Sequence, residues 1–159
     1  MKKIILPIAV CLIALVTASA LYGAALTAER NTPQKAGRSL VLNVAASTKI
    51  FAGAMVSVDA TGNATNANGT VRIQVVGRAE ETVDNLTGTN GAKTIKVATG
   101  IFGWGYDTLD DGDIGTVAYV VDNQSVSKTN IGQTNIAGVI FDVDERKSLV
   151  FVDTGKVNP

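Results

Sequence analysis

Histidine is absent from the 159 residues. That removes the commonest general acid–base group and the commonest metal ligand together. Cysteine is nearly absent too. The single Cys11 lies inside an apolar N-terminal run, so no intrachain disulfide can form and no cysteine–histidine zinc site exists. Neither charge is in excess: fourteen Lys and Arg balance fourteen Asp and Glu. A protein that grips phosphate backbones normally carries a basic surplus, so nucleic acid is not expected as a partner. Leu and Glu are sparse beyond residue 38, where Gly, Asn, Thr and Val abound. That is the composition of strands and turns rather than of helices. The sequence also lacks a phosphate-cradling glycine loop, a nucleophile elbow and any run of metal-ligating residues. Neither an enzyme nor a cofactor nor a metal is expected.

What is present is a period of two. The length suits one small domain plus a tail. Its organising stretch is residues 71–104. Val71, Ile73 and Val75 share one parity against Arg72 and Gln74, and Ile95 and Val97 share one against Thr94, Lys96 and Ala98. Such alternation predicts strands with one buried and one wetter face. Residues 78–92 between them, rich in Asp, Asn, Gly and Thr, read as a long polar loop, and so do residues 60–70. Further strands are expected over residues 40–44, 55–59, 100–104, 116–121, 136–143 and 148–153. The last two form a hairpin across the charged turn Asp144-Glu145-Arg146-Lys147. No fixed-period repeat is visible. About eight short strands predict an all-β domain over residues 39–155, a small barrel or sandwich.

Two segments precede it. Residues 1–27 begin with Lys2 and Lys3, continue as an apolar heart over residues 4–16, and end in the small residues Thr17-Ala18-Ser19-Ala20. Three readings stand. A secretory signal would be cleaved after Ala20, a membrane anchor would use an apolar helix through residues 4–25, and a retained apolar helix would pack on a partner. Val10 before Cys11 departs from a lipoprotein signal. Residues 28–38 are charged, contain Pro33 and Gly37, and lack apolar periodicity, as expected of an extended arm ordered by a partner.

Three groups of side chains invite a chemical reading. Asp107, Asp110, Asp111 and Asp113 surround Gly112 like a calcium loop, but the spacing is not that of an EF-hand and no closing Glu follows; a solvated turn is the expectation. Glu80, Glu81 and Asp84 could supply paired carboxylates, yet they sit on an expected loop without a second catalytic group. Trp104 and Tyr106 could stack on a ligand, but on a strand they suit a core or a protein interface. Four Asn-x-Ser/Thr triplets start at Asn63, Asn68, Asn85 and Asn123, and a chain this rich in Asn and Thr produces them by chance.

One resemblance rests on short motifs spread over about four-fifths of the chain. They are Ala52-Gly53-Ala54-Met55-Val56, Val76-Gly77-Arg78-Ala79, Gly100-Ile101-Phe102 and the run from Gly112 to Val120. Asp122-Asn123-Gln124-Ser125-Val126, Ala137-Gly138-Val139-Ile140 and Leu149-Val150-Phe151-Val152 complete them. With these the chain resembles small bacteriophage head decoration (capsid cement) proteins of a prophage family. The resemblance implies a non-enzymatic protein on the outside of a filled capsid that clamps neighbouring major capsid subunits, itself a small oligomer, often a trimer. It also implies that the arm orders on the shell, with Glu29, Arg30, Asn31, Thr32 and Pro33 as the candidate contacts, and the aromatic pair Trp104 and Tyr106 is a further candidate for a partner contact. The apolar residues 1–25 depart from that pattern. They keep an alternative open, an exported bacterial cell-surface β-domain that serves as a binding or appendage module after its signal is removed.

Overall fold

The computed structural model describes residues 39–69, 74–106, 108–130 and 135–155. All lie in one compact unit, Ala36–Pro159. The expected N-terminal helix within residues 1–27, the arm of residues 28–38 with its five candidate contacts, Val71–Ile73 and Asp107 fall outside the described residues. Among the described residues no helix is long and apolar enough to cross a membrane.

The domain is all-β. The first half carries β1 (Ser39–Asn43), β2 (Thr48–Ile50), β3 (Met55–Val58), β4 (Ala64–Asn66), β5 (Gln74–Ala79), β6 (Val83–Asn85) and β7 (Thr94–Ala98). The second half carries β8 (Ile101–Tyr106), β9 (Val117–Val120), β10 (Ser125–Ser127), β11 (Ile136–Asp144) and β12 (Leu149–Asp153). Alternation dictates burial as expected: in β7 Ile95 and Val97 are buried while Thr94 and Lys96 are exposed, and in β12 Val150 and Val152 are buried. The eight longer strands correspond to the eight runs expected from alternation, apolar content and aromatic content. The other four, β2, β4, β6 and β10, are three residues each. Two of these correct the loop readings: β4 sits within residues 60–70 and β6 within residues 78–92. Three residues span barely one alternation, so polar turn composition masked them.

The two halves repeat one topology. β1-β7-β5-β3-β4 form an antiparallel sheet whose ends approach through a single parallel bridge, Val44 to Ala64. β8-β12-β11-β9-β10 form a closed barrel in which β10 returns parallel to β8. Leaving β2 and β6 aside, the strand order is the same in each. The first strand pairs with the fifth, the fifth with the fourth, the fourth with the second and the second with the third, and the third returns alongside the first. Both second-to-fourth pairings carry a register shift, at Val56/Ser57 in one half and at Ile136/Gly138 in the other. Among the described residues β2 and β6 pair only with each other, as a two-stranded ribbon without a counterpart in the second half.

Adjacent residues on β3 explain how the halves join. Met55 and Val56 point to opposite faces, Met55 into the barrel core with Trp104, Ile140 and Val152, and Val56 into a second core with Ile50, Ile95 and Val97. Each fully buried aliphatic side chain contributes roughly 1.5–3 kcal/mol. Polar ties reinforce the junction: Met55 N–H donates to the Asn123 carbonyl at 2.7 Å, and Asn135 Nδ2 to the Asn68 carbonyl at 3.1 Å.

Candidate functional site

Strand β8 brings Trp104 and Tyr106 to one place. Phe102, Trp104 and Tyr106 take its inner parity, and Ile101, Gly103 and Gly105 its outer one. Trp104 is only 3% exposed and belongs to the barrel core, meeting Phe102 edge-on at 6.2 Å between centroids. The Arg78 guanidinium caps Phe102 from the first half, 4.6 Å from its centroid, and also pairs with Glu80. Tyr106 is half-buried.

β10 meets β8 over two residue pairs, Ser125 with Gly105 and Val126 with Tyr106. Its approach is set by Asp122, whose Oδ1 accepts the N–H groups of Gln124 and Ser125 at 2.8 Å each. Along this thin seam runs a cleft of about 540 Å³ lined by Gly103, Trp104, Tyr106, Val121, Val126 and Leu149, among others. A mostly apolar concavity of that size is what binding sites are made of. The Trp104 indole N–H is buried without an acceptor, at a cost on the order of 1–3 kcal/mol. Trp104 and Tyr106 thus share one site, but Trp104 reaches it from the core rather than presenting an open ring.

The carboxylate groups do not converge. Glu80 pairs with Arg78, Glu81 accepts the Lys96 N–H at 3.0 Å, and Asp84 pairs with Lys49 at 3.0 Å. In the acidic turn the carboxylates fold back on their own backbone. Asp110 Oδ1 accepts from Gly112 N–H at 2.8 Å, and Asp113 Oδ2 accepts from Asp110 N–H and from Lys128 Nζ at 3.0 Å each. The Asp110 hydrogen bond first, then Lys128, holds the Asp113 carboxyl below its ordinary value. Among the described residues no three Cys, Asp or Glu side chains gather as a metal site. Of the four Asn triplets, Asn63 and Asn85 are buried and cannot be glycosylated as folded.

Alternation alone did not mark which apolar side chains stay outside. Val41 is 69% exposed, Phe51 and Phe141 57% each and Leu86 52%, with Leu40 and Ile101 also exposed. Leu40 shares the inward parity of Leu42 and Val44, but it lies near the open end of β1. Two of these groups sit on the ribbon. Phe51 follows β2 and Leu86 follows β6, and Lys49 on the same ribbon reaches over the Phe51 ring at 5.2 Å.

No protein-family model, no curated protein sequence and no solved structure matches this chain.

Proposed function

We propose that this chain is a structural virion protein that binds the outside of a phage capsid and stabilises its lattice. The observation that carries the reading is the β2–β6 ribbon, a pair of strands outside the strand order that the two halves share among the described residues. It displays Phe51 and Leu86, both more than half exposed, beside the Lys49–Asp84 ion pair. Large apolar groups held out in water with a charged rim are the anatomy of a docking surface. The ribbon contacts the major capsid protein. The arm, through Glu29, Arg30, Asn31, Thr32 and Pro33, provides a second contact that orders on the shell, as extended segments do when they add a strand to a partner's sheet edge. A ligand that binds only the assembled lattice favours that lattice by mass action.

The test is recovery of the chain from purified particles of the phage whose genome encodes it, with its intact mass. The reading expects a fixed ratio to the capsid subunit and a mass that retains residues 1–20. Absence from the particles overturns it. A mass beginning at Leu21 also overturns it, and supports the exported cell-surface protein instead.

A further inference from the structure

The two first strands, β1 and β8, share a property that proteins usually avoid. Val44 N–H donates to the Lys93 carbonyl on the β7 side, and Ala45 N–H donates to Ala64 on the other side. By alternation the backbone groups of Ser39, Val41 and Asn43 face away from β7. On β8, Gly100 accepts from Thr154 N–H on the β12 side and Gly105 N–H donates to Gln124 on the other side. The backbone groups of Ile101 and Gly103 therefore face away from β12. Among the described residues nothing pairs with the outward groups of Ser39, Val41, Ile101 and Gly103, which lie before the seams at Val44–Ala64 (where Asn43 already takes part) and at Gly105–Ser125. Sheet edges are normally blunted with Lys, Pro or other charge. Here the edges read Ser-Leu-Val-Leu-Asn and Ile-Phe-Gly-Trp, without a charge or a proline, and both are exposed at Val41 and Ile101. The second of these stretches runs along the apolar cleft beside Trp104.

We propose that the β1 edge of one copy of this chain pairs with the β8 edge of a second copy, filling the cleft. Uncharged edges of five and four residues that sit on different halves of one molecule make a second copy the fitting occupant. The contact joins two different surfaces, so it is heterologous and leads to a closed ring or to an extending chain. This inference does not depend on the capsid reading.

The experiment is sedimentation velocity of the full chain with Val41→Pro, Ile101→Pro and an equimolar mixture of the two. Each proline removes one outward N–H while sparing the intramolecular ladder. The wild type is expected to associate, and each variant alone to dissociate at least ten-fold more readily. The mixture is expected to form a dimer that grows no further, because each variant keeps the edge that the other has lost. Far-UV circular dichroism and the emission of Trp104, the only tryptophan, check the fold. If a proline variant misfolds, Val41→Lys and Ile101→Lys take its place, adding the charge that blunts natural edges. A monomeric wild type overturns the proposal. So does association indifferent to both edges, as residues 1–27 alone would produce, and so does a mixture of folded variants that stays monomeric.

Discussion

Gly77 and Gly138 occupy the same place in the two halves of the domain. Each has φ +150, each lies on the fourth strand of its half at the register shift, and a Cβ on either would fall on a carbonyl oxygen of the fifth strand. That oxygen belongs to Ala98 in one half and to Asp153 in the other, with Val97 and Val152 the next side chains met. The match lies in the backbone, and it ties the repeated strand order to a repeated requirement for glycine.

Gly77→Ala and Gly138→Ala should therefore each destabilise by about 3 kcal/mol or more, since backbone strain and a collision with backbone add together. Gly115 supplies the contrast: its φ is +85 but a Cβ there meets nothing within 4 Å. Gly115→Ala should cost only about 1–2 kcal/mol, the left-handed penalty alone. Urea unfolding of the three variants measures this, and equal losses at all three would refute the close-approach account.

Asn85 ties the ribbon to the first core. It is 1% exposed, and its Nδ2 donates to the carbonyls of Ala45 at 2.9 Å and Thr89 at 3.0 Å. Asn85→Ala should cost about 1–3 kcal/mol by leaving the buried Ala45 carbonyl without its amide donor. Asn85→Asp should cost more near neutrality, because a buried carboxylate facing carbonyls has a raised pKa. Its folded-state pKa then exceeds the unfolded one, so the excess loss over Asn85→Ala should shrink as the pH is lowered from about 7 to about 5. Paired denaturation curves at the two pH values read the difference directly.

Acid should weaken the domain through four aspartates whose carboxyls are held below the ordinary value of 3.8. The leading causes are the Thr61 hydroxyl for Asp59, the Leu86 N–H for Asp84, the Asp110 N–H for Asp113 and the Lys147 side chain for Asp144. With folded pKa values depressed, the stabilisation is complete above the unfolded value and is lost as pH falls through the folded ones. The urea midpoint should hold steady above about pH 5 and drop below about pH 4. Asp59→Asn should flatten part of that drop, since it removes a carboxylate that anchors the Thr61 and Asn63 turn.

Most of the sheet was legible because alternation survives wherever a strand is long enough to show it. Ile95 and Val97 against Thr94 and Lys96 announced β7, and the charged turn at residues 144–147 announced the β11–β12 hairpin. Ala64–Asn66 and Val83–Asn85 were not legible: three residues among Asn, Thr and Gly look like the loops around them. The duplication was hidden for a different reason. It resides in pairing order and in the φ of Gly77 and Gly138, while the side chains around those glycines differ. Trp104 and Tyr106 share one parity of β8, yet that spacing alone does not tell that Trp104 is buried in the core while Tyr106 is only half-buried. The exposure of Phe51 and Leu86 depends on the ribbon, and neither of its strands was foreseen.

The most direct measurement is the binding of purified chain to capsid shells that lack it, comparing the wild type with the double variant Phe51→Ser/Leu86→Ser. The expected result is saturable binding that raises the temperature at which the shells come apart. The folded double variant should lose at least about ten-fold in affinity, since central apolar anchors carry most of an interface. Shells that bind no protein, or that bind both forms equally and melt unchanged, would contradict the account.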